Sequence, residues 1–352
     1  MKFQFRHYVF LLLICFLTTF VFLLVGELNE GRQGLSTDGH VRGRNITILL
    51  WHWPFGRPQS LKGDVCWDNH RISGCHLVDQ RSLYSSADLV VFHHRELMTG
   101  KEKLPINLPR LGEQKWVWLS LESPDNSGHL KPFSNVFNWT MSYRRDADIT
   151  VPYGKLLPQE GEGCAENSTK EVVTEEKSLL ACWVVSHYNP KHKRSLVFQS
   201  LKKSIPVEVY GRWRRRGLAP SNLLPTISRC YFYLAFENSI SKDYITEKLW
   251  RNAYQAGAVP VVLGPPPEDY KAVAPPNSFI HVEDFTSTEE LGNFLHQLQL
   301  DKERYARYFA WRHNYKVKLY TDWRERLCSI CPHYHSLPAQ KMYPDLEAWV
   351  RS

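Results

Sequence analysis

Residues 231–264, YFYLAFENSISKDYITEKLWRNAYQAGAVPVVLG, decide the fold. The aromatic-rich run 231–237 reads as a buried strand. From about Asp243 the chain reads as a helix that stops at Gly257, and the β-branched run 259–264 is a second strand. A strand, a helix and a strand in that order make a right-handed crossover between parallel strands. The same alternation precedes the stretch, with 179–186 and 207–211 reading as strands and 190–203 as a basic helix. The second half is therefore α/β, with a parallel sheet covered by helices and a ligand expected beyond the carboxyl ends of the strands. Downstream, Thr-Ser-Thr-Glu at 286–289 resembles a capping box, and 301–320 carries helical spacing.

The turn inside the opening stretch, from Phe236 to Lys248, is the densest polar cluster of the chain. Where a strand gives way to a helix, backbone N–H groups and the helix dipole favour an anion. Glu247 and Lys248 then stand where a sugar hydroxyl and a phosphate would be gripped. Arg194, near the start of the helix 190–203, offers a second cation suited to a diphosphate. A solvated helix face with a local Glu–Lys pair fits the same spacing, as does an exposed basic helix. Arg212, Arg214, Arg215 and Arg216 read as a surface loop, because no stacking aromatics recur around them as a nucleic-acid site requires.

The first half offers strands at 46–51, 88–93 and 116–121. Glu122 stands just past the last of them. A carboxylate there is partly desolvated and is a candidate general base, or it simply leaves the strand into water. His93 and His94 are adjacent on a strand and point to opposite faces, so a metal site built from them is not expected. Asp146-Ala-Asp148 matches a pattern that can hold a divalent cation. With Arg144 and Arg145 directly before it, salt bridging is the expected role.

The 352 residues carry 43% hydrophobic and 23% charged side chains, which suits about two globular domains and excludes wholesale disorder. A net charge of +8 favours an acidic partner such as a nucleotide or a sialylated glycan. Residues 8–25 run without a charge after Lys2 and Arg6, long enough for an uncleaved signal anchor with a cytoplasmic tail at 1–7 and a lumenal body. The Gly-bearing segment 26–44 reads as a stem. Sequons at Asn45, Asn138 and Asn167 match a secretory compartment. Of eight cysteines one, Cys15, lies in the anchor, leaving an odd seven. Cys328 and Cys331 could form half of a zinc site with Cys66 and Cys75, or a thiol-redox pair. Disulfides are the default in an oxidising lumen.

Phe236-Glu-Asn-Ser, Asp243-Tyr-Ile-Thr-Glu-Lys248 and Ala258-Val-Pro-Val-Val-Leu-Gly264 together resemble the signature of the animal Golgi α-1,3-fucosyltransferases, glycosyltransferase family 10. Similar strings occur at Ile48–Phe55, Val91–Glu96, around Glu122, at Ser142–Asp146 and at Val151–Gly154, so the likeness spans about 45–350. It implies a GT-B architecture, two Rossmann-like domains facing a cleft, after a single transmembrane helix and stem. The implied boundaries are 45–155 for an acceptor-side domain, 156–178 for a linker, 179–330 for a GDP-fucose domain and 331–352 for a tail.

The resemblance further implies inverting transfer from GDP-β-L-fucose to the 3-hydroxyl of N-acetylglucosamine in type 2 lactosamine chains of glycoproteins and glycolipids. No cofactor and no nucleic acid are implied, and a homodimer is compatible. Glu122 falls on the family's base. Arg194, Asn238, Tyr244, Glu247 and Lys248 fall on its donor cluster, with Ser186 and Tyr210 near the nucleotide and Arg95 at an acceptor-specificity position. In relatives the early cysteine pair is bonded to the late pair, implying Cys66–Cys328 and Cys75–Cys331, with Cys182–Cys230 in the donor domain. Local Cys66–Cys75 and Cys328–Cys331 bonds are the alternative. The strings at 51–55 and 321–328 are similar to members that act on α2,3-sialylated lactosamine and give sialyl Lewis x. Residues 212–223 lack those members' closely spaced cysteine pair, so a broader Lewis x-type enzyme is the second reading and a membrane-tethered lectin the third.

Overall fold

The computed structural model describes residues 45–159 and 177–352. The expected anchor 8–25, the stem 26–44, Cys164 and the Asn167 sequon lie outside them. Among the described residues no helix is long and apolar enough to cross a membrane.

Six strands form a first sheet: β1 (Ile46–Leu50), β2 (Cys75–Val78), β3 (Leu89–His93), β4 (Lys115–Ser120), β5 (Trp139–Ser142) and β6 (Ile149–Thr150). β7 (Gly154–Pro158) then leads to a second sheet of β8 (Leu179–Val184), β9 (Val207–Tyr210), β10 (Cys230–Phe236), β11 (Val259–Leu263) and β12 (Ile280–His281), and β13 (Tyr315–Leu319) follows. The orders are β2-β1-β3-β4-β5-β6 and β12-β11-β10-β8-β9, with every neighbouring pair parallel. Alternate residues of each strand feed opposite cores. Phe232, Leu234 and Phe236 of β10 enter one cluster, while Tyr233 and Ala235 enter the other. In β3, Leu89 and Val91 oppose Val90 and Phe92. Burial on both faces is what a continuous apolar run in a parallel sheet signals.

Several boundaries differ from the sequence reading. The first residues of the expected linker form β7, paired antiparallel with β13. Gly154 permits that passage, since a Cβ there would lie 2.6 Å from the Trp250 ring. The window 301–320 is helical at Lys302–Arg307 and in the 3-10 turn Ala310–His313, and ends in β13, where lysines at 316 and 318 alternate with Tyr315, Val317 and Leu319 in a two-residue period. The helix expected from Asp243 begins at Lys248 as a π-helix, Lys248–Gln255, because Asp243 adopts a left-handed backbone (φ 59°). The cap of helix Thr288–Leu300 is shifted by one residue: Ser287 accepts from the Glu290 N–H, and Glu290 reaches back to Thr286.

The expected tail 331–352 is a correction of substance. Leu327 and Ile330 pack on the β1–β3 face of the first sheet, and Tyr343, Leu346 and Val350 pack on the opposite face. The first half's own helices, Val65–His70 and His94–Met98, span five or six residues each and leave sheet surface that the chain end covers. Cys66–Cys328 and Cys75–Cys331 tie that return, and Cys182–Cys230 lies within the second half. This is the pairing the resemblance implied, and it displaces the zinc, redox and local-bond readings. Asn45 is exposed, whereas Asn138 is buried, its Oδ1 accepting from the Trp116 N–H (2.8 Å) and its Nδ2 donating to the Lys341 carbonyl (2.9 Å). The amide nitrogen that a glycan would occupy on Asn138 is thus engaged in the fold.

Candidate active site

In the second sheet the strand order reverses between β8 and β10, and the residues just past those two strands line a 530 Å³ cavity. This is the topological switch point at which doubly wound sheets bind ligands. Ser186 follows β8, Asn238 follows β10, Arg194 comes from the second position of helix Lys193–Leu201, and Glu247 and Lys248 open the π-helix. Gly211 forms part of the wall at φ 110°, with a Cβ there set to fall 2.1 Å from the Val185 carbonyl.

The cavity is built to meet an anion. Arg194 is 6% exposed, its guanidinium donates to the His187 carbonyl, and its Nε has no partner. Asn238 Oδ1 is likewise buried and unpartnered. Burial draws the Arg194 pKa down from its ordinary value, with Glu237 pulling the other way. Lys248 Nζ lies 2.7 Å from Glu237 and 2.8 Å from Thr246 Oγ1, with Glu247 at 3.5 Å. Burial lowers the Lys248 pKa, but Glu237 and Glu247 outweigh it and hold the ammonium protonated. Glu237 itself is raised by burial and pulled back by Lys248. Orphaned donors and acceptors around a held cation are what a bound phosphate and sugar would satisfy.

A second cavity of 230 Å³ opens beyond β1, β3 and β4 of the first sheet. Glu122 lines it, half-buried, with Phe55, His93, Tyr153 and Trp323. Glu247 and Arg251 line this cavity as well as the donor-side one. The two cavities therefore share a wall at Glu247 and Arg251, with Glu122 lining one and Arg194 and Lys248 the other.

Not every expected residue reaches the site. Tyr244 is 3% exposed and packs between the rings of Tyr143 (5.0 Å) and Tyr153 (6.3 Å) rather than lining the donor-side cavity. Burial pushes its phenol well above the ordinary value, and Tyr153, Glu237 and Glu122 add to that. Tyr210 lies under the Arg216 guanidinium (4.6 Å) and lines neither cavity. Arg95 is exposed, its guanidinium 5.3 Å from the Phe55 ring on the acceptor-side wall. Asp146 and Asp148 are engaged as expected of salt bridges: Asp146 with Arg144 and Lys242, Asp148 with Lys341, Tyr343 and Thr140.

Sequence reading missed Arg251 and His93. Arg251 follows Glu247 by four residues, so both fall on one side of the helix, a spacing visible in the sequence. His93 bonds Glu96 through Nδ1, while Glu96 accepts from the Phe55 N–H (2.9 Å) through its other oxygen. His94 turns the opposite way, to the Ser127 carbonyl (2.7 Å) and the Trp118 ring.

Two parallel sheets with a cation-lined cavity on one and a carboxylate on the other suit a nucleotide-sugar transferase, and comparison with known proteins shows the family. The family model for "Glycosyltransferase family 10 (fucosyltransferase) C-term" matches residues 174–349, and that for "Fucosyltransferase, N-terminal" matches 43–154. The chain belongs to this family and is a glycosyltransferase. Alpha-(1,3)-fucosyltransferase 7 of Rattus norvegicus is 48% identical over 308 residues, 87% of this chain and 80% of that protein. The Homo sapiens protein of the same name is 47% identical over 308 residues, covering 87% and 86%. 4-Galactosyl-N-acetylglucosaminide 3-alpha-L-fucosyltransferase 9 of Mus musculus is 44% identical over 305 residues, covering 86% and 81%. A crystal structure of an alpha1,3-fucosyltransferase with GDP-fucose shares the fold at a TM-score of 0.54 and 17% identity, over 89% of this chain and 95% of that one.

Proposed function

We propose that this chain is an inverting α-1,3-fucosyltransferase of GT-B architecture that moves L-fucose from GDP-β-L-fucose to the 3-hydroxyl of N-acetylglucosamine in type 2 lactosamine, with α2,3-sialylated chains the preferred acceptors. The single observation that carries the reading is the sharing of Glu247 and Arg251 by the two cavities, which joins the cation-lined mouth to Glu122. The relatives' names support transfer to position 3, and one of them names a 4-galactosyl-N-acetylglucosaminide acceptor.

Glu122 takes the proton of the acceptor hydroxyl as its oxygen attacks the anomeric carbon. The bond from that carbon to the GDP oxygen breaks in the same displacement, so the β-linkage becomes α. Negative charge grows on the departing β-phosphate, where Arg194 and Lys248 stabilise it without a metal ion. Asn238 and Glu247 orient the fucose and ribose hydroxyls. The uncharged run 8–25 supports a type II anchor in the Golgi membrane with the body in the lumen, acting on glycoprotein and glycolipid chains.

The test is fucose transfer from GDP-fucose, with a strong chelator present, to lactosamine and to α2,3-sialyl-lactosamine. Transfer to the sialylated acceptor alone supports the narrow reading. Transfer to both leaves the enzyme class and discards that preference, and transfer to neither overturns the proposal.

A further inference from the structure

The loop from Glu237 to Glu247 presents Asn238, Glu247 and Lys248 to the donor-side cavity, yet much of what fixes it comes from the other half. The Ser239 hydroxyl donates to Asp125 Oδ2 (2.5 Å), on the turn Pro124–Asn126 that follows Glu122. Lys242 Nζ lies 2.9 Å from Asp146 Oδ2, and Arg144 holds that carboxylate with two bonds of 2.8 Å. Arg145 donates its backbone N–H to Asp243 Oδ2 (3.0 Å) and its Nε to Asp243 Oδ1 (2.5 Å). Its Nη2 reaches Asp269 (2.8 Å), whose second oxygen accepts from the Asp243 N–H (2.8 Å).

Three loop residues are thus bound by three residues beyond the carboxyl ends of β4 and β5. The left-handed backbone of Asp243, φ 59°, costs about 1–2 kcal/mol for a residue with a Cβ, and the Arg145 contacts offset it. From the sequence Asp146 read as a member of a metal-type pattern or a salt-bridge partner. Its place in space is a strut under the donor loop.

We propose that Asp125, Arg145 and Asp146 are positioning residues for the donor: residues of the acceptor-side half hold the loop so that Asn238, Glu247 and Lys248 face the nucleotide sugar. The inference rests on the donor reading of the cavity. It makes affinity for GDP-fucose depend on a half that does not itself line the phosphate site, and because Asp125 lies three residues past Glu122, the same contact fixes the base relative to the donor.

The magnitudes rank the contacts. Lys242–Asp146 is half-exposed, and such pairs are worth about 0.2–1 kcal/mol, or up to about fivefold in affinity. The hydroxyl-to-carboxylate bond from the buried Ser239 is charge-assisted and should matter more, by about tenfold. Asp125 and Lys242 are exposed, so replacing them opens no core.

The experiment measures GDP binding by calorimetry, together with KM for GDP-fucose, KM for acceptor, kcat and thermal midpoint, on the full-length chain. Its variants are Asp125→Ala, Asp125→Asn and Lys242→Ala, with Lys271→Ala as a control in an exposed ion pair with Glu268 rather than with the loop. The expected result is weaker GDP binding and a higher GDP-fucose KM, about tenfold for Asp125→Ala and about two- to fivefold for Lys242→Ala, with acceptor KM within about twofold. Asp125→Asn retains a neutral acceptor for the Ser239 hydroxyl and falls between the native values and those of Asp125→Ala, while Lys271→Ala stays at native values. Unchanged donor constants overturn the inference. So does an Asp125→Asn variant no better than Asp125→Ala, or a rise in both KM values that tracks lost thermal stability. Absence of GDP binding by the native chain removes the donor reading itself, and this inference with it.

Discussion

The two sheets share an architecture and differ in what they place at their open ends. Beyond β8 and β10 stand Arg194, Lys248 and Arg251 with unpartnered polar atoms between them. Beyond β1, β3 and β4 stand one half-buried carboxylate, Glu122, and a wall of Phe55, Tyr153 and Trp323. One end suits a diphosphate. The other suits a sugar ring lying on aromatic faces with a hydroxyl to be deprotonated. Equivalent scaffolds thus divide a transfer reaction into holding the leaving group and activating the nucleophile, which no fold class specifies by itself. The halves also differ in cover. The second builds its helices in sequence, while the first borrows the chain end and bolts it down with two disulfides.

The sharpest way to break this division is Glu122→Gln, expected to cut transfer by about 10²–10⁴-fold. GDP affinity should not change, as calorimetry would show. Loss of both properties together would mean that Glu122 belongs to the donor end as well.

Removing Cys66–Cys328 and Cys75–Cys331 together should lower the unfolding free energy by about 4–5 kcal/mol in urea titration. Removing either alone should cost far less, because the two bonds close nearly the same loop, with separations of 262 and 256 residues. Cys182–Cys230, separated by 48, should lie between. A single removal as costly as the double would show that the chain end is held by one bond and not by the pair.

Lys248→Met leaves Glu237, whose side chain is 1% exposed, buried without its ion-pair partner, and should cost about 3–5 kcal/mol of stability along with GDP binding. The sign with pH follows from the directions of the shifts. In the native fold Lys248 stays raised above its ordinary 10.5 despite burial, because Glu237 and Glu247 face it. Its contribution is therefore complete below pH 10.5 and is lost only above it. In the variant Glu237, already raised by burial, protonates more readily, so the deficit should shrink as pH falls through the acid range. A deficit independent of pH would disprove the ion-pair account.

Smaller effects test the strut and the acceptor wall. Hydrogen bonding from Arg144 and Lys242 outweighs burial and holds the Asp146 carboxyl well below its ordinary 3.8. Its stabilising contribution is then present above pH 3.8 and lost as pH falls below it. The stability gap between native protein and Asp146→Asn should close in that direction. Arg95→Ala removes the guanidinium over the Phe55 ring, worth about 0.5–1 kcal/mol at an exposed site, and should raise acceptor KM about two- to fivefold with donor KM unchanged.

Much of the donor end was legible because its chemistry is local in sequence. β10, the polar turn and the helix that follows are contiguous, so Asn238, Glu247 and Lys248 stand at a strand-to-helix junction wherever the rest of the chain goes. Glu122 was visible for the same reason, one residue past an apolar run. Tyr244 came from the resemblance alone, and no local pattern announces that its ring packs against Tyr143 and Tyr153 of the first half. His93 was set aside as half of an unlikely metal pair, and its bond to Glu96 depends on the turn into His94–Met98 that no strand pattern announces.

The sequence by itself determined the parallel α/β character of the second half, the strands of the first, the cation-bearing strand-to-helix turn and the place of Glu122 just past a strand, since hydrophobic period and junction chemistry act over a few residues. Only the tertiary structure decided that residues 323–352 complete the first half and that Glu247 and Arg251 are common to both mouths. It alone decided that Asp125, Arg145 and Asp146 hold the donor loop. Those contacts join residues about 100 to more than 250 positions apart, and such pairs are chosen by packing two preformed sheets and their return segment against one another, a choice that leaves no periodic trace in the chain.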